Sequence, residues 1–400
     1  MSYCNPYIQS KDNRAMSNSH KRADNQKPKI IEYIEEINDP RNASSFNYKH
    51  PFVSIIFITF IGSLCGANNW IEIEALGNEM KDWIVKFVPL PYGVPSHDTF
   101  GRLFALIDSN EFGNFLIKWM KSVREKFSGE VINFDGKTLC GTAEKGMGLQ
   151  GVHILNAWSN DNEICIGQLK VDDKSNEIKA IPKLMELLDL KDCIITSDAL
   201  NTQKEVAKKA RELGADYVLP VKENHPSLLD DIKLFFEDAV KKEFKGIDAD
   251  QYETLDKGHG RVEKRTYQII DGEDLPDKDL WKDVKSIGRV IRERTINRKG
   301  TTTEIQYYIN SIDIDAKLFE KCTRGHWGVE NGLHWRLDVI MKEDDNRYRD
   351  KNGAQNLAVI RKVTLSVLAK DTTRKGSIAT KRLAAAVNPT YREDLIKKCL

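Results

Sequence analysis

The stretch Val131–Thr142, V-I-N-F-D-G-K-T-L-C-G-T, constrains this 400-residue chain more than any other. Val131, Ile132 and Phe134 favour a strand, and Gly136 ends the apolar pattern. Side chains on a strand alternate, so Ile132 and Phe134 share one face while Asn133, Asp135 and Lys137 share the other. Asp135 is then a carboxylate near the end of a buried strand. Burial of such a group is costly unless it is paired or faces a cation. A hydrogen-bonded turn Asp before Gly is the plainer reading, and this stretch alone does not decide between the two.

The pattern around it sets the architecture. Residues 1–29 are polar, with almost nothing to bury, and read as a disordered basic arm. Residues 30–128 read as an α-helical domain. Within it Phe52–Ala67 is the most apolar run; it is too short for a membrane span and contains Ser, Thr and Gly, so it reads as a core helix. Pro95-Ser96-His97-Asp98 marks a helix start with Ser96 as cap, followed by Phe100, Leu103, Phe104 and Ile107 at helical spacing. After Val131 the period shortens. Val152–Ser159 and Ile164–Val171 read as two more strands around the turn Asn160-Asp161-Asn162, which gives an antiparallel meander. Ser175 can cap the next helix. Cys193–Leu200 reads as a buried strand ending in Asp198, and helix Thr202–Leu213 and strand Asp216–Val221 follow. Strand–helix–strand units of this length imply parallel pairing. About 241–312 reads as a β-rich insertion with a hairpin tip at Asn297–Gly300. His259, Arg261, Glu263 and Arg265 share one strand face there, and for Glu263 and Arg265 a solvated surface is the simpler reading. Near the end, His326, Glu330, His334 and Asp338 form a polar stripe if 324–345 is helical, beside Val329, Leu333, Leu337 and Ile340. Leu357–Leu368 reads as a closing core helix, and 371–400 as a basic tail.

Charge and cysteine content narrow the class. Net charge is only +1, yet from Arg361 to Leu400 there are ten Lys/Arg against three Asp/Glu, a balance compatible with nucleic acid or with plain solvated surface. Seven cysteines with no C-x-x-C pair argue against a zinc ribbon or a disulfide framework and suit a reducing cytoplasm. No signal peptide or membrane span is expected.

Asp135, Asp198 and Glu330 together change the reading of the first strand. Carboxylates at the ends of adjacent strands can meet, and a helix over that edge can add a third. Three such oxygen donors suit Mg²⁺ or Mn²⁺. A pair of these ions about 3.5–4 Å apart serves phosphodiester cleavage. A zinc hydrolase built on His326, Glu330 and His334 is the rival, but no H-E-x-x-H occurs and both Asp residues would be idle.

Six blocks carry a family pattern: F-D-G-K-T-L-C-G-T (134–142), V-D-D-K-S-N-E-I-K-A-I-P (171–182), I-T-S-D-A-L-N-T-Q-K (195–204), A-D-Y-V-L-P-V-K-E-N (215–224), K-G-H-G-R-V-E-K-R (257–265) and R-G-H-W-G-V-E-N-G-L-H-W-R-L-D-V (324–339). With P-S-H-D-T-F-G-R-L-F (95–104), the chain resembles the H-repeat-associated insertion-sequence transposases, a group of bacterial DDE transposases, from about Asp39 to about Leu368. The resemblance implies an α/β catalytic domain over 129–370 with a ribonuclease-H-like mixed sheet and a β-rich insertion, preceded by a transposase-associated helical domain. It implies a catalytic, metal-holding triad Asp135, Asp198 and Glu330 with Mg²⁺ or Mn²⁺. Lys137, Lys222, Asn224, His259, Arg261, Arg324 and His326 are then expected to contact double-stranded DNA, both the element's terminal inverted repeats and its target. A homodimer on the DNA ends, in the cytoplasm at the nucleoid, completes the expectation. A decayed or host-adopted member, which binds DNA or acts as a metal-dependent nuclease, is the alternative. The chain departs from its relatives at Cys140 and His225, where they carry Arg and Gln. Where the wider superfamily places Tyr, Arg and Lys around its Glu, this chain has Thr323, His326 and Leu337.

Overall fold

The computed structural model describes residues 27–42, 44, 48–143, 146, 148, 150–171, 177–258, 260–296 and 300–398. Ser175, His259 and the tip residues Asn297–Lys299 lie outside them, as does most of the N-terminal arm.

The helical part begins with α1 (Lys29–Glu35), α2 (Phe52–Leu64), α3 (Trp70–Glu79), α4 (Lys81–Ile84), α5 (His97–Leu106) and α6 (Ser109–Val123). The apolar run forms α2, which is buried on nearly every side. Its polar groups are partnered: Ser54 Oγ donates to Pro89 O at 2.7 Å and Thr59 Oγ1 to Ile55 O at 2.9 Å. No helix among the described residues is long and apolar enough to cross a membrane. Helix α5 starts where expected, but Ser96 does not cap it. Glu74 on α3 accepts from the His97 N–H at 2.8 Å instead. A carboxylate placed at the positive end of a helix is a stronger partner there than a hydroxyl.

The remaining elements are β1 (Glu130–Leu139), β2 (Val152–Ser159), β3 (Ile164–Val171), α7 (Glu177–Glu186), β4 (Cys193–Ser197), α8 (Lys204–Glu212), β5 (Asp216–Val221), α9 (Pro226–Lys241), β6 (Ala249–Gly258), β7 (Arg261–Asp271), β8 (Ser286–Ile296), β9 (Gly300–Asn310), α10 (Ala316–Val329), α11 (Lys351–Lys370), α12 (Ile378–Val387) and α13 (Pro389–Lys398). The strands form one sheet in the order β3-β2-β1-β4-β5-β9-β8-β7-β6. Strands β1, β2 and β3 are an antiparallel meander, and β1, β4 and β5 run parallel. This half, 3-2-1-4-5 with that mix of directions, is the ribonuclease-H-like arrangement. The β-rich insertion is an antiparallel meander of four strands whose last member joins the same sheet. Strand β9 pairs with β5 from Val218↔Asn310 to Val221↔Tyr307. The insertion therefore extends the same sheet.

Past α10 the chain winds as a π-helix over Glu330–His334 and Arg336–Ile340. The wider turn explains one departure from the expected stripe. Val329, Leu333 and Leu337 are buried as expected, but Met341 rather than Ile340 completes the apolar face. Glycines bring this segment close to the sheet. A Cβ on Gly332 would stand 2.6 Å from the Trp158 ring on β2, and one on Gly328 would run into Asn160 Oδ1. Gly332→Ala should therefore lower stability by about 1–3 kcal/mol, the usual cost of overpacking. The midpoint of urea unfolding measures it. A change below about 0.5 kcal/mol, the range of an ordinary surface substitution, would mean that helix and ring part freely.

Helix α11 is the central pillar and is buried along most of its length. The basic segment 371–400 forms α12 and α13 over its described part, and much of its charge is used internally. Of the ten cations from Arg361 onward, Arg361, Lys362, Lys381, Arg382 and Arg392 are buried. Arg382 donates to the Ser63, Ala67 and Ile340 carbonyls, tying the end of α2 to the end of the π-helical segment. This half of the basic charge cannot meet a polyanion, because neighbouring carbonyls and carboxylates already hold it.

Candidate active site

The two Asp residues come together because of strand register. Strands β1 and β4 are parallel, and Phe134 pairs with Ser197. Asp135 and Asp198 are the residues that follow this pair, and neighbouring strands lie about 4.8 Å apart. Each carboxylate is oriented by backbone. Asp135 Oδ1 accepts from the Gly136 N–H at 2.9 Å, and Asp198 Oδ1 from the Asn201 N–H at 2.9 Å. Glu330 arrives from the other side, at the first residue of the π-helical winding. Asp135, Asp198 and Glu330 all line one cavity of about 410 Å³, together with Lys222, Arg292, Glu304 and Thr323.

Electrostatics mark the cavity as short of positive charge near the triad. Burial, then the charge of Asp198, and further those of Glu177 and Glu330, push the Asp135 carboxyl up to about 7, against one opposing backbone hydrogen bond from Gly136. His334 Nδ1 is 3.7 Å from Asp135 Oδ2, beyond hydrogen-bond reach. Burial and then the Lys137 and Lys362 ammonium groups push His334 down to about 3, so it is neutral at pH 7 and offers no counter-charge. Among the described residues no three His, Cys, Asp or Glu side chains are gathered tightly enough to hold an ion as they stand. The donor set nonetheless suits a hard divalent cation. The oxygens face one cavity and repel one another, and a divalent cation would relieve that repulsion.

The basic residues separate into distinct groups. Lys222 lines the carboxylate cavity. Arg261 and Arg324 line a second, adjoining cavity of about 530 Å³ on the extended sheet. Asn224 donates from Nδ2 to the Ala199 carbonyl at 2.9 Å, and His225 contacts the Thr202 carbonyl through Nε2 at 2.6 Å. Both brace the loop that carries Asp198. The His326 backbone lies in α10, but its side chain, like His259, falls outside the described residues. Lys137 corrects the sequence expectation. Its ammonium is 2.6 Å from Asp338, 3.3 Å from Asp344 and 3.7 Å from Glu343, and its side chain is only 8% exposed. Burial opposes its charge, but Glu343, Asp338 and Asp344 outweigh that and hold its pKa above the ordinary lysine value. Enclosed by carboxylates, it is not available to a phosphate.

Arg292 and Arg294 were not singled out in the sequence, and Arg265 was expected to be solvated surface. Arg265, Arg292 and Arg294 line the second cavity beside Arg261 and Arg324, and Arg292 also lines the first. Glu263, expected to be a solvated residue, is buried and ion-paired with Arg265 and Arg292. The signal was the period-two run R-E-R at 292–294. Register sets Arg292 opposite Arg265 and Arg294 opposite Glu263, but that register is not visible in either strand alone.

A family profile described as "Transposase DDE domain" matches residues 126–367, and one described as "DDE_Tnp_1-associated" matches residues 31–120. The chain is 37% identical over 374 residues to "Putative transposase YncI" of Escherichia coli O157:H7, covering 92% of this chain and 95% of that protein. It is 34% identical over 371 residues to "H repeat-associated putative transposase YhhI" of Escherichia coli (strain K12), covering 91% and 96%. Among solved structures it is similar to a piggyBac transposase synaptic complex with hairpin DNA, at 12% identity and a TM-score of 0.43, covering 92% of this chain and 79% of the other.

Proposed function

This chain belongs to the H-repeat-associated DDE transposases, and from that premise we propose that it cuts DNA at the ends of an insertion sequence and joins the freed 3′ ends to target DNA. The observation that carries the reading is the meeting of Asp135 and Asp198 in parallel register with Glu330 in the same cavity. These three residues would hold Mg²⁺ or Mn²⁺. When bound, two such ions activate the attacking oxygen and steady the leaving oxygen of an in-line displacement at phosphorus. That division of labour serves hydrolysis and strand transfer alike, so no Ser or Tyr nucleophile is required. Lys222 stands at the cavity wall, where it can neutralise the phosphate under attack.

The adjoining arginine-lined cavity gives the DNA a path. Arg261, Arg265, Arg292, Arg294 and Arg324 outnumber the single acid Glu263 among its lining residues. Its tyrosines, Tyr267 and Tyr308, are buried and offer no face for base stacking, so the contact is with phosphate. Each neutralised phosphate contributes about 0.9 to the salt slope of duplex binding. Arg261→Ala and Arg294→Ala should each reduce the slope by about that amount. An unchanged slope and affinity, measured by fluorescence anisotropy across a salt series, would return the residue to plain surface charge. Two element ends need two active sites, so the DNA-bound form is expected to be a homodimer.

Incubation with Mg²⁺ or Mn²⁺ and a DNA duplex bearing the element's end tests the function. Cleavage that exposes a 3′ hydroxyl, followed by joining to a second DNA, is the expected result. Binding without cleavage in either ion would leave a DNA-holding protein on the same fold.

A further inference from the structure

We infer that Glu177 is a positioning residue of the carboxylate site, fixing Asp198 through Asn201 and setting a fourth negative charge beside Asp135. The inference rests on the triad reading above but concerns a residue outside the triad. Glu177 opens α7, directly after a stretch that lies outside the described residues. It is only 3% exposed. One of its oxygens is in close contact with His153 Nε2 on β2, and the other accepts from Asn201 Nδ2 at 2.9 Å. His153 is held in turn by Thr138 Oγ1 on β1, 2.9 Å from its Nδ1. Asn201 is wholly buried, and its N–H is the group that orients Asp198 Oδ1. A continuous chain of hydrogen bonds thus runs from Thr138, three residues past Asp135, through His153, Glu177 and Asn201 to Asp198.

Backbone packing points the same way. A Cβ on Gly136 would lie 2.5 Å from His153 Nε2 and 2.7 Å from Glu177 Cδ. Glycine immediately after Asp135 leaves the space that Glu177 occupies. An apolar side chain would fill such a site without the penalty of burying a carboxylate. A charged group held here by two donors has an electrostatic use: its negative charge adds to the attraction of the triad for a cation. Glu177 is also among the charges that raise the Asp135 carboxyl, after burial and Asp198.

Two variants of the full-length protein separate this role from plain packing. Glu177→Gln keeps shape and hydrogen bonding but removes the charge. Asn201→Ala removes the side-chain amide that joins Glu177 to the turn holding Asp198, while the backbone N–H to Asp198 Oδ1 remains. Mn²⁺ titration calorimetry without DNA should show affinity falling about 10- to 100-fold in each, the usual effect of groups that orient ligands. Affinity for DNA should be unchanged. The double variant should lose little more than either single one, because the two residues act in one chain. Folded variants that keep the parent's Mn²⁺ affinity, or losses that multiply in the double variant, overturn the inference. Should Asn201→Ala fail to fold, the isosteric Glu177→Gln decides alone. A parent that binds Mn²⁺ but cuts no DNA would remove the transposition reading and leave this inference standing. A parent that cuts while both variants retain its Mn²⁺ affinity would remove this inference alone. A parent that takes up no Mn²⁺ overturns both.

Discussion

Asp198→Asn should reduce metal-dependent nicking of supercoiled DNA by about 10³-fold, the equivalent of about 4 kcal/mol of transition-state stabilisation. The substitution is nearly isosteric. The Asn side chain still offers an oxygen to the Asn201 N–H, so the loop after β4 keeps its hydrogen bond. What disappears is the charge at the end of the strand beside Asp135. DNA affinity and its salt slope should stay near the parent values, because the arginine-lined cavity is untouched. Glu330→Gln should behave alike. If either variant, folded and bound to DNA, cuts at close to the parent rate in Mg²⁺, that carboxylate is structural. Asp338 is then a poor replacement, although it lies further along the same segment, because the Lys137 ammonium already holds it at 2.6 Å.

Lys137→Met is expected to destabilise the protein by about 3–5 kcal/mol, the range for removing one partner of a buried ion pair. The ammonium sits among Asp338, Glu343 and Asp344, and Glu343 is almost fully buried. Glu343 keeps Arg361 at 3.4 Å, which places the expected loss toward the lower end. Methionine fills the volume, so the change isolates charge from packing. Urea unfolding followed by circular dichroism measures it. Loss below about 1 kcal/mol, the range of an exposed pair, would show that solvent reaches the cluster. The DNA salt slope supplies the second reading. It should not change, whereas a lysine on phosphate would lower it by about 0.9. The effect on cleavage should follow from position: this cluster ties the strand that carries Asp135 to the segment that carries Glu330.

The strands over 131–221 are legible because each repeats over a few residues. Strand-forming residues across 152–159 and 164–171, with Asn160-Asp161-Asn162 between, suffice to identify an antiparallel pair. The lengths of the strand–helix–strand units imply the parallel pairs. The insertion is legible as β-rich by the same signal, but its attachment is not. That β9 docks on β5 depends on two segments about ninety residues apart finding one register. The π-helical winding is also hidden, because a spacing of four fits both an α-helical and a wider turn over so short a stretch.

By itself the sequence determines which residues share a strand face, since alternation is a local property. Asp198 stands just past the end of its strand as expected, but Asp135 does not: β1 runs on through Gly136 to Leu139, because pairing with β2 continues there. Glu330 follows from its place in the family pattern. Tertiary structure alone decides which charges meet solvent. Lys137 and Arg261 look alike in sequence, each a cation next to a polar strand end. One is enclosed by carboxylates some two hundred residues away, and the other opens onto a cavity. The same holds for Arg382, which is spent on carbonyls of two distant helical segments, and for Arg292, which lines the carboxylate cavity from β8, two strands beyond β5. The reason is physical: whether a charge is solvated, paired or aimed at a ligand depends on the groups packed around it in space, and side-chain periodicity carries no information about those neighbours.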